Sequence, residues 1–534
     1  MYTKSIILFL LTLLSVITAF PCGHSRLAKN RTLNFVSQNN EENNNNTLRN
    51  TEEEYHPLSF QIEYSYFNYF NNKVSQSYNE NMKKAIVKAT EYLGALLSVA
   101  SHQSYSIDIS FCYDVFRSTT IDLSSDVLLF PLIQNQYLLG EGVLASAASC
   151  LIDEKSKRPV VGLLFLGEDY DFTSENADEY LHMLLIHEIS HILMFDSDLF
   201  IHFSAQPVFK NVNMRGQLKS IVITPKVLEK ARLHFGCDSL EGVELESQGG
   251  SGSAGSHWES RIMLGDYMVS TDYDETVIGD ITLALFEDSG WYKANYYTGG
   301  LFRFGKNEGC EFFSQKCIEQ KITPFPLEFC TRQESEGCTA GYLSKGECFL
   351  GYFNGDLPEN YQYFSDSTQG GFTSADYCPV MSNLFDKKYS GYLPLNCKTG
   401  YVTHASYGEV IGDNSLCVEV NFDDDFMAIC YEMKCLSDSK GNRIEIKVKN
   451  KVVVCNQGDV KVKVKGLGTL YCPDYNRACS GTKWCNEPLE CLEYQSLTNT
   501  DIPYIDANYG FDKGSFINVK FALSVYLLFA LFML

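Results

Sequence analysis

The apolar run from Met183 to Phe195 contains the pentapeptide His187-Glu188-Ile189-Ser190-His191, and no other feature constrains the fold as strongly. A run of this kind is typical of a buried helix, in which residues four positions apart lie on one face, one turn from each other. Two imidazoles placed in this way can act as two ligands of a tetrahedral zinc ion. The carboxylate of Glu188 would then face the open position of the metal, where it can take a proton from water.

The pentapeptide alone is only moderately specific, because its three fixed positions also recur by chance in long chains. The plainer interpretation is a buried amphipathic helix whose two histidines are hydrogen-bonded core residues. A catalytic zinc ion takes three protein ligands and a water molecule, so the choice depends on finding a third ligand.

Several residues near the pentapeptide compete for the role of third ligand. In the compact form of the motif a histidine follows six residues after the second one, but that position is Ser197 here. Asp196 and Asp198 offer carboxylates, although aspartates that follow a helix more often face solvent or cap the next element. His202 and His182 are expected to be surface groups or outer neighbours of the site.

His257 is the remote candidate, and it directly follows the glycine-rich segment 248–256. Glycine at this density disfavours regular structure and allows a close backbone approach, so the segment can deliver an imidazole edge-on to a metal. Met268 follows shortly after and would pack beneath the imidazoles as a soft, apolar floor. An ordinary core position would explain Met268 equally well.

Composition limits the class of protein. The chain has 534 residues, 45% of them hydrophobic and 13% aromatic, which predicts a globular protein with several domains. The formal net charge of −23 argues against nucleic-acid binding through the surface field. Helical and strand-like patterns intermix before residue 300 and indicate an α+β architecture. The strongest patterns are a helix over 81–99 and strands over 58–64, 106–111, 127–132 and 159–165.

Both ends of the chain carry apolar segments. Residues 1–20 have the layout of a secretory signal peptide, and their apolar run is too short to cross a bilayer. Residues 501–534 predict a polar spacer and a hydrophobic tail, as in a glycolipid-anchor signal, with a short membrane anchor as the alternative. The candidate attachment residues are Ala507, Asn508, Gly510, Gly514 and Ser515. We therefore expect the secretory pathway, the cell surface and a membrane contact through the tail.

Nineteen cysteines in a chain with a signal peptide predict an oxidising compartment and a disulfide framework. Only four of them precede residue 300, so residues 301–500 are expected to form a cysteine-rich domain with many short strands. Cys22 is isolated, whereas the other eighteen could close nine bridges. Because a thiolate is a strong zinc ligand, Cys22 is a candidate switch that holds a precursor inactive from a pro-segment at residues 21–55.

The chain resembles the leishmanolysin family of zinc metalloproteases, within the metzincin clan, from about residue 55 to 495. The similarity extends well beyond the pentapeptide. The matching stretches are Thr224–Cys237, Leu240–Glu246, Gly249–Glu259, Asp280–Tyr292 and Phe304–Cys310.

The resemblance implies a fold and a site. The fold would be a metzincin-type zinc protease catalytic domain over residues 56–300, with an inserted third-ligand segment at 205–270 and a disulfide-rich, mainly β C-terminal domain. His187, His191 and His257 would bind one zinc ion, Glu188 would be the general base, Met268 would be the Met-turn residue, and Cys22 would be the switch thiol. Protein or peptide substrates follow from the same resemblance.

One position departs from the family pattern. Three residues after the second histidine the family usually has glycine, where the chain turns at positive φ, and this chain has Met194. A residue with a side chain in that conformation costs on the order of 1 kcal/mol or more, so we expect either a longer helix or a strained turn. Two alternative interpretations remain. The chain could be a catalytically impaired surface protein that acts in adhesion or interaction, or a cysteine-rich binding module in which the pentapeptide occurs by chance.

Overall fold

The computed structural model describes residues 33–36 and 55–479 apart from short internal stretches. Those stretches are residues 71–72, 101–103, 113–115, 136–138, 140–142, 171, 173–176, 249–253, 272, 274, 297–301, 333–334, 383–384, 387–390 and 393–394. The predicted signal peptide, the candidate switch Cys22 and the hydrophobic tail lie outside the described residues.

The helices and strands alternate along the first part of the chain. The described α-helices are α1 (Gln76–Leu96), α2 (Ala177–Leu193), α3 (Ser197–Phe200), α4 (Pro225–Phe235), α5 (Ser260–Met263), α6 (Asp280–Asp288), α7 (Glu311–Ser314) and α8 (Tyr475–Ala478). The described strands before residue 300 are β1 (Asn34–Val36), β2 (Tyr55–Pro57), β3 (Phe60–Ile62), β4 (Leu97–Ala100), β5 (Tyr105–Asp108), β6 (Thr120–Leu123), β7 (Val127–Gln134), β8 (Ala145–Asp153), β9 (Pro159–Gly167), β10 (Phe209–Met214), β11 (Gln217–Val222), β12 (Val243–Glu244) and β13 (Tyr292–Ala294).

Short strands dominate the rest of the chain. They are β14 (Glu336–Cys338), β15 (Lys345–Cys348), β16 (Gly351–Tyr352), β17 (Gln369–Gly370), β18 (Met381–Ser382), β19 (Phe385–Asp386), β20 (Gly391–Tyr392), β21 (Ser415–Phe422), β22 (Asp425–Asp438), β23 (Gly441–Val448), β24 (Lys451–Asn456), β25 (Lys461–Val464) and β26 (Gly468–Tyr471). The predicted α+β content and the strand-rich, disulfide-linked C-terminal part are confirmed.

A mixed five-stranded sheet, in the order β1-β8-β9-β7-β3, forms the centre of the first part. Strands β8 and β9 are antiparallel, whereas the other neighbours are parallel. Strands β7, β8 and β9 are buried along their whole length, as expected for strands that are covered on both faces.

The two faces of this sheet have separate apolar cores. On one face Val127, Leu129 and Ile133 of β7 join the core that contains α1 and α2. On the other face Leu128 and Phe130 pack in the core that contains the β5–β6 hairpin. Helix α2 is therefore seated on a rigid, buried sheet.

Gly162 of β9 allows helix α2 to approach the sheet closely. A Cβ atom at this position would lie 2.3 Å from Cγ2 of Ile192, which is far inside van der Waals contact. Ile192 directly follows the second histidine of the pentapeptide. Gly162 therefore sets how closely the helix that carries the pentapeptide packs on the sheet.

A six-stranded antiparallel sheet in the order β24-β23-β22-β21-β26-β25 carries a further core. Residues on both sides of position 300 share the first core, which runs from Leu58 to Val380. The division into domains at residue 300 therefore stays a prediction. No helix among the described residues is both long and apolar enough to span a membrane.

Eight disulfides link the described residues. They are Cys112–Cys150, Cys237–Cys310, Cys317–Cys378, Cys330–Cys348, Cys338–Cys417, Cys397–Cys430, Cys435–Cys479 and Cys455–Cys472. The three remaining cysteines, Cys22, Cys485 and Cys491, lie outside the described residues.

Candidate active site

Helix α2 places His187 and His191 one turn apart, with their ring centroids 4.7 Å apart. Both histidines and Glu188 between them are fully buried. The helix forms here because an almost unbroken apolar run must be covered on the sheet side, and the hydrogen bonds of a helix satisfy its buried backbone.

His257 comes to the same point from a remote segment. Its Nε2 atom lies 3.2 Å from Nε2 of His187, which in turn lies 3.1 Å from Nε2 of His191. The candidate ligand atoms of all three residues lie within 4.8 Å of one another. Since zinc–nitrogen bonds of about 2.0–2.1 Å in a tetrahedron separate the ligand nitrogens by roughly 3.4 Å, the spacing fits a zinc ion.

The other ring nitrogen of each histidine faces an acceptor. Nδ1 of His187 donates to the Tyr267 carbonyl at 2.6 Å, and Nδ1 of His191 donates to the Phe195 carbonyl at 2.7 Å. Nδ1 of His257 lies 3.5 Å from Oε2 of Glu246. Because the two carbonyl groups hold the ring proton on Nδ1 of His187 and His191, the Nε2 atoms of these two residues present lone pairs to the point where the three rings meet. Converging lone pairs repel one another, and a cation between them stabilises the arrangement.

Two short backbone ladders deliver His257. On one side, the Glu246 N–H donates to the His257 carbonyl at 2.9 Å, and Leu245 forms an antiparallel bridge with Trp258. On the other side, the Trp258 N–H donates to the Met268 carbonyl at 2.9 Å. The segment after the glycine-rich loop is therefore held between residues 244–246 and the turn at Met268.

The turn at Met268 is built on a buried carboxyl group. Oδ1 of Asp266 accepts from the Met268 N–H at 2.9 Å and from Oγ1 of Thr282 at 2.8 Å. Burial raises the pKa of Asp266 to about 7, although its hydrogen bonds oppose the shift. The next residue, Tyr267, binds His187 through its carbonyl and meets Oγ of Ser190 with its hydroxyl at 2.9 Å. This turn thus holds both helix α2 and the third histidine.

The structure shows how the chain accommodates Met194 at the position where the family usually has glycine. It is fully buried and does not adopt the left-handed conformation. The N–H groups of Met194 and Phe195 both donate to the Ser190 carbonyl at 2.9 Å, which closes the helix with a widened last turn. Of the two expected alternatives, the strained left-handed turn is not found, because the wider turn redirects the chain and still presents the Phe195 carbonyl to His191.

The other candidate ligands have different positions. Asp196 caps α3 by accepting from the Asp198 N–H at 2.9 Å. His182 is buried against Tyr92, with the ring centroids 5.5 Å apart, and burial lowers its pKa to about 3. His202 packs edge-on to Phe35. None of these residues belongs to the described group of three histidines.

A second buried group, which the sequence did not predict, lies behind the third histidine. Nζ of Lys219 contacts Oδ1 of Asp376 at 2.6 Å and Oε2 of Glu259 at 3.1 Å. Arg215 joins Asp376 to Glu244. Burial alone would raise the pKa of Asp376, but the charges of Lys219 and Arg215 outweigh it and lower the pKa to about 2.

The same group brings the carboxylates of Glu244, Glu259 and Asp376 together. Lys219 and Arg215 contact these carboxyl groups directly, so the group is a salt-bridge network and not a second metal site.

A buried group of three histidines that includes an HExxH helix, on a mixed α+β fold, defines a metal-dependent peptidase class. The profile of the family described as Peptidase_M8, Leishmanolysin, matches residues 117–484. The chain belongs to the leishmanolysin family of peptidases, as the sequence predicted.

Named relatives agree with this assignment. Leishmanolysin of Leishmania tropica is 27% identical over 361 residues, which cover 64% of this chain and 53% of the relative. The leishmanolysin homolog of Crithidia fasciculata is 28% identical over 380 residues, covering 67% and 55%. The leishmanolysin-like peptidase of Caenorhabditis briggsae is 27% identical over 463 residues, covering 71% and 69%. The chain thus spans little more than half the length of the first two relatives.

Proposed function

We propose that the protein is a zinc-dependent endopeptidase of the metzincin type that hydrolyses protein or peptide substrates outside the cell. The observation that carries the proposal is the convergence of three Nε2 atoms whose partner nitrogens are each turned to an acceptor. Eight disulfides in the described residues support an oxidising, extracellular compartment.

His187, His191 and His257 would hold the zinc ion, and the carbonyl groups that face Nδ1 of His187 and His191 keep the Nε2 lone pairs of these two residues available for it. When bound, zinc polarises the scissile carbonyl and lowers the pKa of a water molecule. Glu188 accepts the proton of this water and delivers it to the leaving amine, so one carboxylate serves as base and then as acid. No covalent intermediate with the protein is required.

Cys22 is proposed as the thiol that keeps a precursor inactive, since a thiolate can take the position where water must enter. If so, Cys22→Ser protein should hydrolyse casein without prior processing, whereas the unprocessed wild type should not. Equal activity of the two unprocessed proteins would remove this role and leave the zinc site untouched.

The experiment that tests the proposed function compares proteolytically activated wild-type protein with its Glu188→Ala variant treated in the same way. Wild type should hydrolyse casein and should lose this activity when phenanthroline removes the metal. Glu188→Ala should keep its zinc and its fold but lose about 10²–10⁴-fold in turnover, the usual contribution of a positioned base.

Glu241→Ala is the matched control, because this glutamate side chain is 70% exposed and pairs with Lys210 on the surface. It should retain wild-type activity. Substantial hydrolysis by Glu188→Ala would refute the assignment of the base. A wild type that binds zinc but cleaves nothing would favour the impaired surface protein instead.

A further inference from the structure

The three histidines differ in the group that faces Nδ1. His187 and His191 both face backbone carbonyl groups, at 2.6 and 2.7 Å. His257 faces the carboxylate of Glu246, whose Oε2 lies 3.5 Å from Nδ1. Both of these side chains are fully buried. The third candidate ligand is thus the one whose outer partner is a carboxyl side chain, which can be changed by mutation.

The backbone fixes Glu246 relative to His257. The Glu246 N–H donates to the His257 carbonyl, and the Glu246 carbonyl accepts from the Gly255 N–H, both at 2.9 Å. These two bonds close the glycine-rich loop at its base. Glu246 and His257 are therefore held in register with each other.

We propose that Glu246 is a positioning residue, which holds His257 in the Nδ1–H tautomer and in the orientation that zinc requires. This inference rests on the proposed zinc site. A buried carboxylate stabilises the ring proton on Nδ1 more strongly than a carbonyl does, and it makes Nε2 a more basic ligand. His257 lacks the support of a regular helix, so it depends on this side chain more than the two histidines of α2 do.

Two variants, Glu246→Ala and Glu246→Gln, distinguish a role in positioning His257 from a role in packing the interior. The glutamine retains an oxygen that can accept the Nδ1–H, but it carries no charge. We expect the alanine variant to bind zinc about 10- to 100-fold more weakly, which is the usual effect of losing such a partner, and the glutamine variant to recover most of this loss. Glu241→Gln, on the exposed side of the same segment, should bind zinc as wild type does.

Zinc affinity is measured by competition with a chelator, and thermal unfolding is followed with and without zinc. A positioning role predicts that the increase in melting temperature produced by zinc shrinks in Glu246→Ala. A purely structural role predicts equal losses in the zinc-free and zinc-bound forms. If the alanine variant does not fold, the glutamine variant decides, since positioning predicts a zinc affinity that lies measurably below wild type.

The inference is overturned if Glu246→Ala binds zinc within twofold of wild type, or if a folded glutamine variant matches wild type when alanine does not fold. Failure of the proposed function looks different, because wild-type protein would then either bind no zinc at the three histidines or bind zinc and cleave no casein. Suppose that the wild type binds zinc and cleaves casein, and that Glu246→Ala has the zinc affinity of the wild type. These results would contradict only the role of Glu246.

Discussion

Asp266 shows how a single buried group contributes to the site. Its carboxyl is fully buried, and its pKa is raised to about 7, from the 3.8 of an exposed aspartate. The folded protein therefore binds this proton more tightly than the unfolded chain does. The resulting stabilisation is complete below about pH 4 and is lost as the pH rises through about 7.

Replacing Asp266 by asparagine should flatten this pH dependence. The asparagine side chain cannot ionise, while its amide oxygen can still accept from the Met268 N–H. Between pH 4 and pH 8 the difference in unfolding free energy between wild type and Asp266→Asn should change in favour of the variant by on the order of a few kcal/mol. The measurement is chemical denaturation at several pH values. Parallel curves for the two proteins would show that Asp266 has the same pKa in both states.

Among individual residues, the sequence predicted the ones that belong to a recognisable pattern. The three histidines that come together in the structure could be predicted because their spacing or neighbours have a chemical meaning. Glu246 and the Tyr267 carbonyl could not, because a charged residue before a loop and a backbone oxygen carry no such signal. Their positions beside the histidines arise only from the folded backbone.

At the scale of elements, a substitution at the end of helix α2 can show whether Met194 impairs the site. Met194→Gly restores the usual family residue but removes a fully buried side chain. Because the chain here needs no left-handed residue, the variant should gain no activity and should lose about 3 kcal/mol or more of stability.

Casein hydrolysis and denaturant unfolding measure the two effects of Met194→Gly. Met194→Leu is the control, since a change that conserves volume in a core usually costs less than about 1.5 kcal/mol. A clear gain of activity in the glycine variant would instead show that the methionine distorts the site.

Helices and strands with a long apolar pattern could be predicted from the sequence. A strand whose formation depends on the neighbouring strands could not. The patterns over 127–132 and 159–165 correspond to β7 and β9, and the pattern over 81–99 to α1, which starts earlier because Ser75 caps it. Strand β8 was missed because its small residues Ala145–Ser149 show neither alternation nor high strand propensity.

In strand β11 the burial of the side chains does not follow their hydrophobicity. Lys219 is buried and Leu218 is 72% exposed, the reverse of what hydrophobicity predicts. The carboxylates that make this arrangement stable come from Glu259 and from Asp376, which is distant in sequence. Local patterns cannot reveal a charge network of this range.

At the scale of the whole molecule, Asp376 connects the later part of the chain to the segment that carries His257. Its carboxylate contacts Lys219 and Arg215, which also contact the carboxyl groups of Glu259 and Glu244, respectively. Asp376→Asn should remove the one carboxylate that contacts both Lys219 and Arg215, and it should cost about 3–5 kcal/mol of stability. Denaturant unfolding measures this loss.

Asp413→Asn is the matched control, because the Asp413 side chain is 74% exposed and only pairs with Lys398 at the surface. It should change stability by less than about 1 kcal/mol. If Asp376→Asn were equally mild, the buried network would not be what holds the two parts of the chain together.

The most direct test is the zinc content of the wild type and of His257→Ala, measured by elemental analysis on folded, disulfide-bonded protein. Wild type should carry close to one zinc ion per chain and show phenanthroline-sensitive hydrolysis of casein. His257→Ala should lose both, because two imidazoles on one helix do not hold the metal alone. A folded His257→Ala protein that keeps its full zinc content would contradict the three-histidine site and point to Asp196, Asp198 or Glu259 as the third ligand.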